Sequence, residues 1–392
     1  MQLEHFIPTR ILFGPGKLEE LSKTKLPGKK ALIVISNGTS MRKNGYLDRV
    51  INLLKKNNVD SVVFDKILPN PINAHVMEGA ALAKSEGCDF IVGLGGGSSL
   101  DSAKSIAIMV NNPGDYWDYI ASGSGKGMPI EKPVLPIVAI TTTAGTGSEA
   151  DPWTVITHEK RNEKIGFGTS DTFPALSIVD PELMLTVPPK LTAYQGFDAL
   201  FHAAEGVIAN IATPVSDIYA LKSIELISKY LPTAVSDGKN MEARTNVALA
   251  NTLSGFVEST SGCTSEHSLE HAMSAYHPNL EHGAGLIIIS VAYFSFFAEY
   301  APERFVLMAK AMGTNVDGVP EKDQPLLFIE ALKELQKKCG VDNLKMSDYG
   351  IKESEFDTFA KNAVETMGGL FYLDCYKLSH DDVVKIYKDS YK

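Results

Sequence analysis

The stretch DFIVGLGGGSSLDSAK, residues 89–104, decides the fold class of this chain. Its mostly apolar start predicts a buried strand, the glycines at 95–97 follow, and the apolar spacing of residues 100–110 predicts a helix. Glycines let the backbone approach a ligand closely, and the N–H groups and dipole of a helix start favour an anion. A pyrophosphate suits such a turn, although tight packing is an alternative reason for the glycines. The loop is neither the common dinucleotide fingerprint, because Ser98 replaces the third glycine, nor a Walker A loop.

Predicted strands and helices alternate on both sides of this turn. The strands are residues 31–36, 61–65, 89–94, 134–141 and 177–180, and the helices between them are 47–57, 76–87 and 100–110. Strands that lack apolar-polar alternation and are separated by helices predict a parallel sheet covered on both faces. After Pro188 and Pro189 the periodicity is almost purely helical. We therefore predict an α/β domain over residues 1–188 and an all-helical domain over residues 189–392.

Two more loops follow predicted strands. The loop TTTAGTGSE, residues 141–149, offers hydroxyl and N–H groups. Two such loops at the carboxyl ends of adjacent parallel strands predict one long phosphate-bearing ligand, while a turn rich in capping residues is the alternative. The loop of residues 36–43 contains Ser40, Arg42 and Lys43 but no acid. An acid at this place binds a ribose 2′-OH and a basic loop admits a 2′-phosphate, so the sequence favours NADP(H) over NAD(H). A solvated basic turn is the alternative.

Composition excludes several classes of protein. The chain has 392 residues, 44% hydrophobic and 21% charged, which is typical of a soluble globular protein. Its net charge of −10 argues against nucleic-acid binding. Four cysteines without CxxC spacing fit a reducing cytosol, and no signal peptide is evident, so we expect a cytoplasmic protein. The longest apolar run, residues 285–297, is shorter than the ~20 residues of a membrane span and predicts a buried helix.

A carboxylate and an imidazole recur at helical spacing in the second half. Asp198 and His202 are four residues apart on a predicted helix that Thr192 caps, so they share one face. Such a pair is a candidate for binding a cation. A single acid or histidine on a mixed face is more often a surface polar group.

A second helix repeats this spacing. His267 and His271 lie on a helix that Thr264 or Ser265 caps, and His282 follows after a short loop. A set of one carboxylate and imidazoles suits Zn²⁺ or Fe²⁺ better than Mg²⁺ or Ca²⁺.

The candidates outnumber the usual four ligands of such a site. One histidine is therefore not a ligand, and spacing alone leaves open whether His267 or His271 binds the metal. His277, just before Pro278, is a further candidate whose position fits a substrate-facing role equally well.

Together these motifs resemble the iron-containing (group III) alcohol dehydrogenases. The matching segments are PTRILFGPG at 8–16, PNP at 69–71, GGGSSLDSAK at 95–104, TTAGTGSE at 142–149, DPEL at 180–183, GFDALFH at 196–202 and the block 267–282. The pattern is most similar to the NADP(H)-linked butanol dehydrogenase and aldehyde reductase branch. The resemblance implies an α/β N-terminal dinucleotide-binding domain with a parallel sheet, and an all-α C-terminal domain, in a dehydroquinate synthase-like architecture. It also implies an active site in the cleft between the domains.

The resemblance further implies the residues of the site. It implies one Fe²⁺ or Zn²⁺ bound by Asp198, His202, His267 and His282, with His271 near the nicotinamide as the candidate proton relay. Asp101 is expected on the nicotinamide side, although an acid in a first helical turn needs no such role; Lys164 lies near the ring or is a surface lysine. The predicted cofactor contacts are Ser36, Gly38, Ser40, Arg42, Pro71, Gly95, Gly96, Gly97, Ser98, Ser99, Asp101, Thr142, Thr143, Thr146, Ser148, Lys164, Leu183 and His271.

The expected function is a metal-dependent alcohol dehydrogenase or aldehyde reductase. It transfers a hydride between NADP(H), or NAD(H), and a short-to-medium-chain alcohol or aldehyde. A metal- and NAD-dependent lyase or synthase of the dehydroquinate synthase type and a glycerol dehydrogenase are the alternatives on this fold. A non-enzymatic metal-binding protein would not need two dinucleotide loops. The resemblance suggests a homodimer or a larger homo-oligomer.

Overall fold

A computed structural model describes residues 5–392. The first four residues of the N-terminal stretch, in which no signal peptide was expected, lie outside the described residues. The chain divides into two compact units. The first, the α/β unit, comprises Ile7–Thr143 and Ser148–Thr186, and the second, the helical unit, comprises residues 5–6, Ala144–Gly147 and Val187–Lys392. The domains 1–188 and 189–392 remain a proposal.

The α/β unit is built on a six-stranded parallel sheet of order β3–β2–β4–β5–β8–β1. Its strands are β1 Arg10–Phe13, β2 Lys30–Ser36, β3 Asp60–Ile67, β4 Phe90–Gly95 and β5 Ile137–Thr141, with β8 Leu176–Val179 after the antiparallel pair β6 Thr154–His158 and β7 Glu163–Phe167. Its helices are α1 Ser40–Lys43, α2 Tyr46–Lys56, α3 Asn73–Glu86 and α4 Gly97–Met109. The parallel sheet with helices is confirmed, whereas the pair β6–β7 was not predicted.

The central strands are apolar because both of their faces are covered. Residues 31–35 of β2 are fully buried, and side chains of β4, β5 and β8 join the same hydrophobic core. Strand β5 begins at Ile137 rather than at residue 134, and Pro136 just before it has no N–H to donate to a ladder. Gly95 pairs with Thr141 in the register of β4 and β5, so both glycine-rich loops leave the sheet side by side.

The helical unit contains the helices α5 Pro189–Ile208, α6 Pro214–Ser236, α7 Met241–Glu258, α8 Ser265–Tyr276, α9 His282–Phe297, α10 Pro302–Ala311, α11 Leu326–Lys338, α12 Phe356–Phe371 and α13 His380–Ser390. Helix α5 packs against α6, α7 and α9, and α8 packs against α9 and α12. The apolar run 285–297 forms most of α9, so the predicted buried helix is confirmed. No helix among residues 5–392 is both long and apolar enough to cross a membrane.

The predicted cap of α5 is wrong. The helix begins at Pro189, and Thr192 lies inside its first turn, where its hydroxyl donates to the Pro188 carbonyl at 3.0 Å. Proline is well suited to the first helical position because its fixed φ is already helical and its missing N–H has no partner there.

Candidate metal centre and cofactor loops

Three histidine nitrogens surround one carboxylate oxygen in the helical unit. His202 Nδ1 and His267 Nε2 each lie 3.6 Å from Asp198 Oδ1, and His282 Nε2 lies 3.5 Å from it. These separations are longer than the about 2.7–2.9 Å of a charge-assisted hydrogen bond. Ligands on two corners of a tetrahedron with bonds of about 2.1 Å are about 3.4 Å apart. The spacing therefore suits a shared cation better than direct pairing.

The buried polar atoms of this cluster support the same interpretation. Asp198 Oδ1, His202 Nδ1 and His267 Nε2 are buried and have no hydrogen-bond partner. Most buried polar atoms in proteins are paired, and a cation would satisfy all three at once. The His282 side chain is 24% exposed, against 5% or 6% for the other three, so the cluster is open on its His282 side. These residues fit a metal ion with mixed nitrogen and oxygen ligands.

Two glutamates lie behind the histidines. Glu205 Oε1 is hydrogen-bonded to His267 Nδ1, and Glu270 Oε2 to His282 Nδ1. Each ring therefore keeps Nε2 for the side that faces Asp198. A carboxylate behind a metal-binding histidine fixes its tautomer and raises its basicity. Neither glutamate was predicted from the sequence, although Glu205 lies three residues after His202 and Glu270 three after His267, on shared helix faces.

We expect Glu205→Gln to weaken metal binding by about 10–100-fold, because an amide retains the size but not the charge of the partner of His267. Competition with a chelator of known affinity measures the change. Glu225→Gln, which alters a surface pair with Lys222, is the matched control and should leave the affinity unchanged. Equal affinities in the two variants would show that Glu205 has no influence on the metal.

A buried hydrogen-bond chain holds Glu205 in place. Its Oε2 accepts from the Thr264 N–H at 2.7 Å and the Thr264 hydroxyl at 2.9 Å, and that hydroxyl lies 2.9 Å from the Tyr293 hydroxyl. Tyr293 in turn donates to Asp374 Oδ1 at 3.3 Å, which also accepts from the Ser265 N–H at 3.0 Å. Thr264 does occupy the N-cap of α8, but its side chain serves Glu205 and makes no capping bond.

Asp374 should make the stability of the chain depend on pH. Burial raises the pKa of Asp374 to about 7, with hydrogen bonds from Ser265 opposing the rise. Asp374 therefore stays protonated in the folded chain at pH values above about 3.9, the ordinary pKa of an aspartate. Binding this proton stabilises the folded state. This stabilisation is complete below about pH 4 and is lost as the pH rises through about 7, with a slope of up to about 1.4 kcal/mol per pH unit. We expect Asp374→Asn to remove that slope.

Urea unfolding of the full chain between about pH 5 and about pH 7.5 tests this expectation. Asp348→Asn, a change at an exposed aspartate, serves as the control and should keep the slope of the wild type. A wild-type slope that persists in Asp374→Asn would mean that another group binds the proton.

The pKa values of the proposed ligands are shifted in different directions. Burial would raise the pKa of Asp198, but the neighbouring His202 and His282, together with His267, hold it well below its usual value. Burial, followed by repulsion from His267, lowers the pKa of His202 to about 3, so this ring is neutral, as a metal ligand must be. Burial would lower the pKa of His267, but Glu205 and Cys263 keep it well above its usual value, so an ion that binds this ring must displace a proton.

His271 lies beside the cluster rather than around Asp198. Its ring centroid is 5.3 Å from that of His282 and 6.4 Å from that of His267. Ligand atoms of Asp198, His267 and His282 lie within 4.8 Å of one another, and so do those of Glu270, His271 and His282. His277, the further candidate, is bonded through Nε2 to Glu355 Oε1 at 3.0 Å.

The first glycine-rich loop in the α/β unit has no room for side chains. Gly95 has a φ of +149°, and a Cβ there would lie 2.6 Å from Ser99 Oγ. Gly96, the N-cap of α4, would place a Cβ 3.0 Å from Thr143 Oγ1, while Ser98 Oγ donates to the Pro69 carbonyl. Such a bare backbone at a helix start is the cradle that a pyrophosphate needs.

Behind this loop lies a buried lysine. Lys104 is fully buried, and its ammonium donates to Ser148 Oγ at 2.8 Å, Asp151 Oδ1 at 3.0 Å and the Trp153 carbonyl at 2.7 Å. Ser148 Oγ donates in turn to Asp101 Oδ1 at 2.7 Å. Burial raises the pKa of Asp101 to about 6, opposed first by Lys104. Ser148 and Asp101, both predicted to contact the cofactor, thus form part of one internal network.

The other predicted cofactor residues occupy varied places. Ser36 ends β2, Ser40 starts α1, Thr142 directly follows β5, and the Pro71 carbonyl accepts from the Thr157 N–H at 2.8 Å. Arg42 pairs with Asp65 at 2.6 Å on the surface. Lys164 is buried in β7, and Leu183 is 1% exposed within the hydrophobic core. Gly38 lies in the loop after β2, and Gly97 lies at the start of α4, as the sequence indicated.

The tip of the second glycine-rich loop, Ala144–Gly147, belongs to the helical unit and includes Thr146. The Gly147 N–H donates to Asn251 Oδ1 on α7 at 2.9 Å, and a Cβ on Gly145 would lie 3.0 Å from Asp198 Oδ2. The tip therefore packs against α7 and against α5, the helix that carries Asp198.

Two family models cover nearly the whole chain. Residues 8–181 match the one described as Iron-containing alcohol dehydrogenase, and residues 192–391 match Fe-containing alcohol dehydrogenase family, C-terminal. The chain belongs to the iron-containing alcohol dehydrogenase family. The resemblance drawn from its motifs is therefore confirmed, and the chain is an NAD(P)-dependent alcohol oxidoreductase.

Relatives of this iron-containing alcohol dehydrogenase match it from end to end. The NAD-dependent methanol dehydrogenase of Bacillus methanolicus is 36% identical over 364 residues, 92% of this chain and 93% of the relative. The 1,3-propanediol dehydrogenase of Citrobacter freundii is 33% identical over 99% of this chain and 98% of its own. The crystal structure of the archaeal halo-thermophilic Red Sea brine pool alcohol dehydrogenase ADH/D1 is similar with a TM-score of 0.95 and 34% identity, covering 100% of this chain and 99% of that one.

Proposed function

We propose that this family member reduces short-to-medium-chain aldehydes, and oxidises the corresponding alcohols, at one Fe²⁺ or Zn²⁺ per chain. The arrangement of three imidazole nitrogens 3.5–3.6 Å from Asp198 Oδ1 carries this proposal. Asp198, His202, His267 and His282 are the proposed ligands. Glu205 and Glu270 orient two of the rings through their Nδ1 atoms. When bound, such an ion polarises the oxygen of the substrate as a Lewis acid.

His271 is the proposed proton carrier. Its ring lies beside His282, the most exposed of the proposed ligands, so it is placed near the open side of the cluster. Aldehyde reduction consumes a proton at the substrate oxygen, and an imidazole is suited to supply it near neutral pH. Asp101 has both carboxylate oxygens bonded within the chain, by the Ser148 hydroxyl and the Val155 N–H, which supports a positioning role for it.

The α/β unit is the proposed cofactor-binding unit. The backbone of residues 95–97 at the start of α4 is the proposed pyrophosphate site. Absence of an acid from residues 36–43 supports NADP(H) over NAD(H). Two findings weigh against that preference: Asp65 pairs with Arg42 and offsets its charge, and the methanol dehydrogenase relative is named as NAD-dependent. The cofactor preference is therefore the part of the proposal that an assay decides first.

A side-by-side assay with NADPH and NADH against a panel of aldehydes tests the proposed function, with metal analysis of the same sample. We expect turnover of short aldehydes, faster with NADPH, and about one Fe²⁺ or Zn²⁺ per chain. Chelation should abolish turnover, and adding back either ion should restore it. Full activity in metal-free protein would refute the proposal. Glycerol in the reverse direction tests the glycerol dehydrogenase alternative, and a faster rate with glycerol than with any simple alcohol would favour it.

Two further expectations, about the oligomeric state and the cellular location, belong to the same proposal. A homodimer or a larger homo-oligomer is expected from the family resemblance, and light scattering of the purified chain measures it. A cytoplasmic location is expected from the sparse cysteines without CxxC spacing.

A further inference from the structure

One glycine of the helical unit lies against a glutamate that orients a proposed metal ligand. Gly285 is buried in the first turn of α9, three residues after His282. A Cβ on Gly285 would lie 2.8 Å from Glu270 Cγ and 2.9 Å from Glu270 Oε1. Carbon atoms in contact prefer separations of about 3.5–4.0 Å, so a methyl group and the present Glu270 side chain cannot share this space. Neither the sequence motifs nor the proposed function assigns Gly285 a role.

The backbone does not require a glycine at this position. Gly285 lies inside a helix, and its φ is not among the positive values that favour glycine. Glycine inside a helix is less favourable than alanine, because it loses more conformational freedom on folding. The room that Gly285 leaves for Glu270 is therefore the reason that the structure offers for a glycine here.

Glu270 needs that room to reach His282. The Glu270 side chain is fully buried on α8, and its Oε2 is hydrogen-bonded to His282 Nδ1 at the start of α9. A Cβ on residue 285 would press on Cγ as well as on the carboxylate, so a rotation of the carboxylate alone would not relieve the overlap. The whole side chain would have to leave its rotamer, and Oε2 would move away from the ring.

His282 depends on such a bond more than the other proposed histidine ligands do. Its side chain is 24% exposed, whereas those of His202 and His267 are 6% and 5% exposed, so its ring is less restricted by packing. With Nδ1 bonded to Glu270, the ring directs Nε2 to within 3.5 Å of Asp198 Oδ1. A carboxylate that holds a ligating histidine in this way contributes to metal affinity.

We propose that Gly285 is a positioning residue of the metal centre, because it keeps open the space in which Glu270 holds His282. The inference rests on the proposed function, since it concerns an ion bound by His282. Residues 270 and 285 then act as a pair. A methyl group at residue 285 weakens metal binding only while Glu270 is present, and it has no further effect once the Glu270 side chain has been removed.

A double-mutant cycle with Zn²⁺ tests this pairing. Zinc affinity is measured on the full-length protein, by competition with a chelator of known affinity, for the wild type, Gly285→Ala, Glu270→Ala and the double variant. We expect each single change to weaken binding by about 10–100-fold, and the double variant to bind zinc as Glu270→Ala does. Gly369→Ala, at a glycine of α12 where an added Cβ meets open space, is the control and should bind zinc like the wild type.

Two results of the cycle would overturn the role of Gly285. One is a zinc affinity of Gly285→Ala equal to that of the wild type. The other is a double variant that binds zinc more weakly than Glu270→Ala, because a general packing defect adds to the loss of the carboxylate. If Gly285→Ala alone does not fold, we expect the double variant to fold, since its methyl group fills space that Glu270 has vacated; a double variant that also fails to fold would refute the pairing.

Crystals of metal-free Gly285→Ala supply a readout that needs no ion. We expect the hydrogen bond between Glu270 Oε2 and His282 Nδ1 to be lost in this variant, and its retention would show that Gly285 does not position Glu270. A wild type that binds no Zn²⁺ would overturn the proposed function itself, whereas the crystals still decide whether Gly285 makes room for Glu270.

Discussion

Replacing His267 with alanine should empty the metal centre and lower kcat/KM by at least about 10³-fold, a loss of about 4 kcal/mol in transition-state stabilisation. The change removes Nε2, one of three nitrogens around Asp198 Oδ1, and leaves the buried Glu205 carboxylate without its imidazole partner. Metal analysis by mass spectrometry and steady-state kinetics measure the two effects.

Two histidine variants are matched controls for this expectation. His271→Ala should retain the metal, because its ring lies beside His282 and is assigned to proton transfer. His380→Ala, a change at an exposed histidine bonded to Asp357, should retain both metal and activity. A full metal complement in His267→Ala together with metal loss in His271→Ala would reverse the assignment of the two histidines on α8.

Replacing Lys104 with methionine should destabilise the α/β unit by about 3–5 kcal/mol. The buried ammonium makes an ion pair with Asp151 at 3.0 Å, where both side chains are at most 1% exposed. Its removal leaves the Asp151 carboxylate buried and uncompensated, and burial already raises the pKa of that group. Ser148 and the Trp153 carbonyl lose a donor as well. Urea unfolding followed by circular dichroism measures the loss.

A double variant separates the charge from the packing. Lys104→Met with Asp151→Leu removes both charges and should recover most of the stability, because replacing a whole buried pair by apolar groups is often nearly neutral. Lys222→Met, which breaks a surface pair with Glu225, should cost at most about 0.5 kcal/mol. A loss below about 1 kcal/mol in Lys104→Met would show that this network contributes little.

The sheet of the α/β unit was predictable because its strands are buried on both faces. Residues 31–35 and 90–94 are continuous apolar runs, apart from Gly93, and no helix-like spacing competes with that pattern. The pair β6–β7 escaped prediction because its second strand starts with Glu163 and Lys164, charges that a lone strand rarely buries. Asn162 has a φ of 52° and lies in the left-handed turn that joins the two strands. This asparagine was the sequence feature that could have predicted the turn.

The metal cluster was only partly visible in the sequence. The spacing of Asp198 with His202 and of His267 with His271 pointed to two ligand-bearing helices. The spacing alone did not show whether His267 or His271 binds the metal. Either ring could face a partner helix, and the packing of α5 against its neighbours decides which one does. Asp374 was beyond sequence reasoning, since it reaches Ser265 from 109 residues away. The packing of Gly145 beside Asp198 is likewise a product of tertiary structure.

Anomalous diffraction can show whether one ion is bound by Asp198, His202, His267 and His282. Crystals of the metal-loaded protein, measured at the absorption edge of iron and then of zinc, locate the ion and identify it. We expect one strong peak about 2.0–2.2 Å from Asp198 Oδ1 and from a ring nitrogen of each of the three histidines. A peak bound by His271 in place of His267, or no peak at this cluster in fully loaded, active protein, would contradict this assignment.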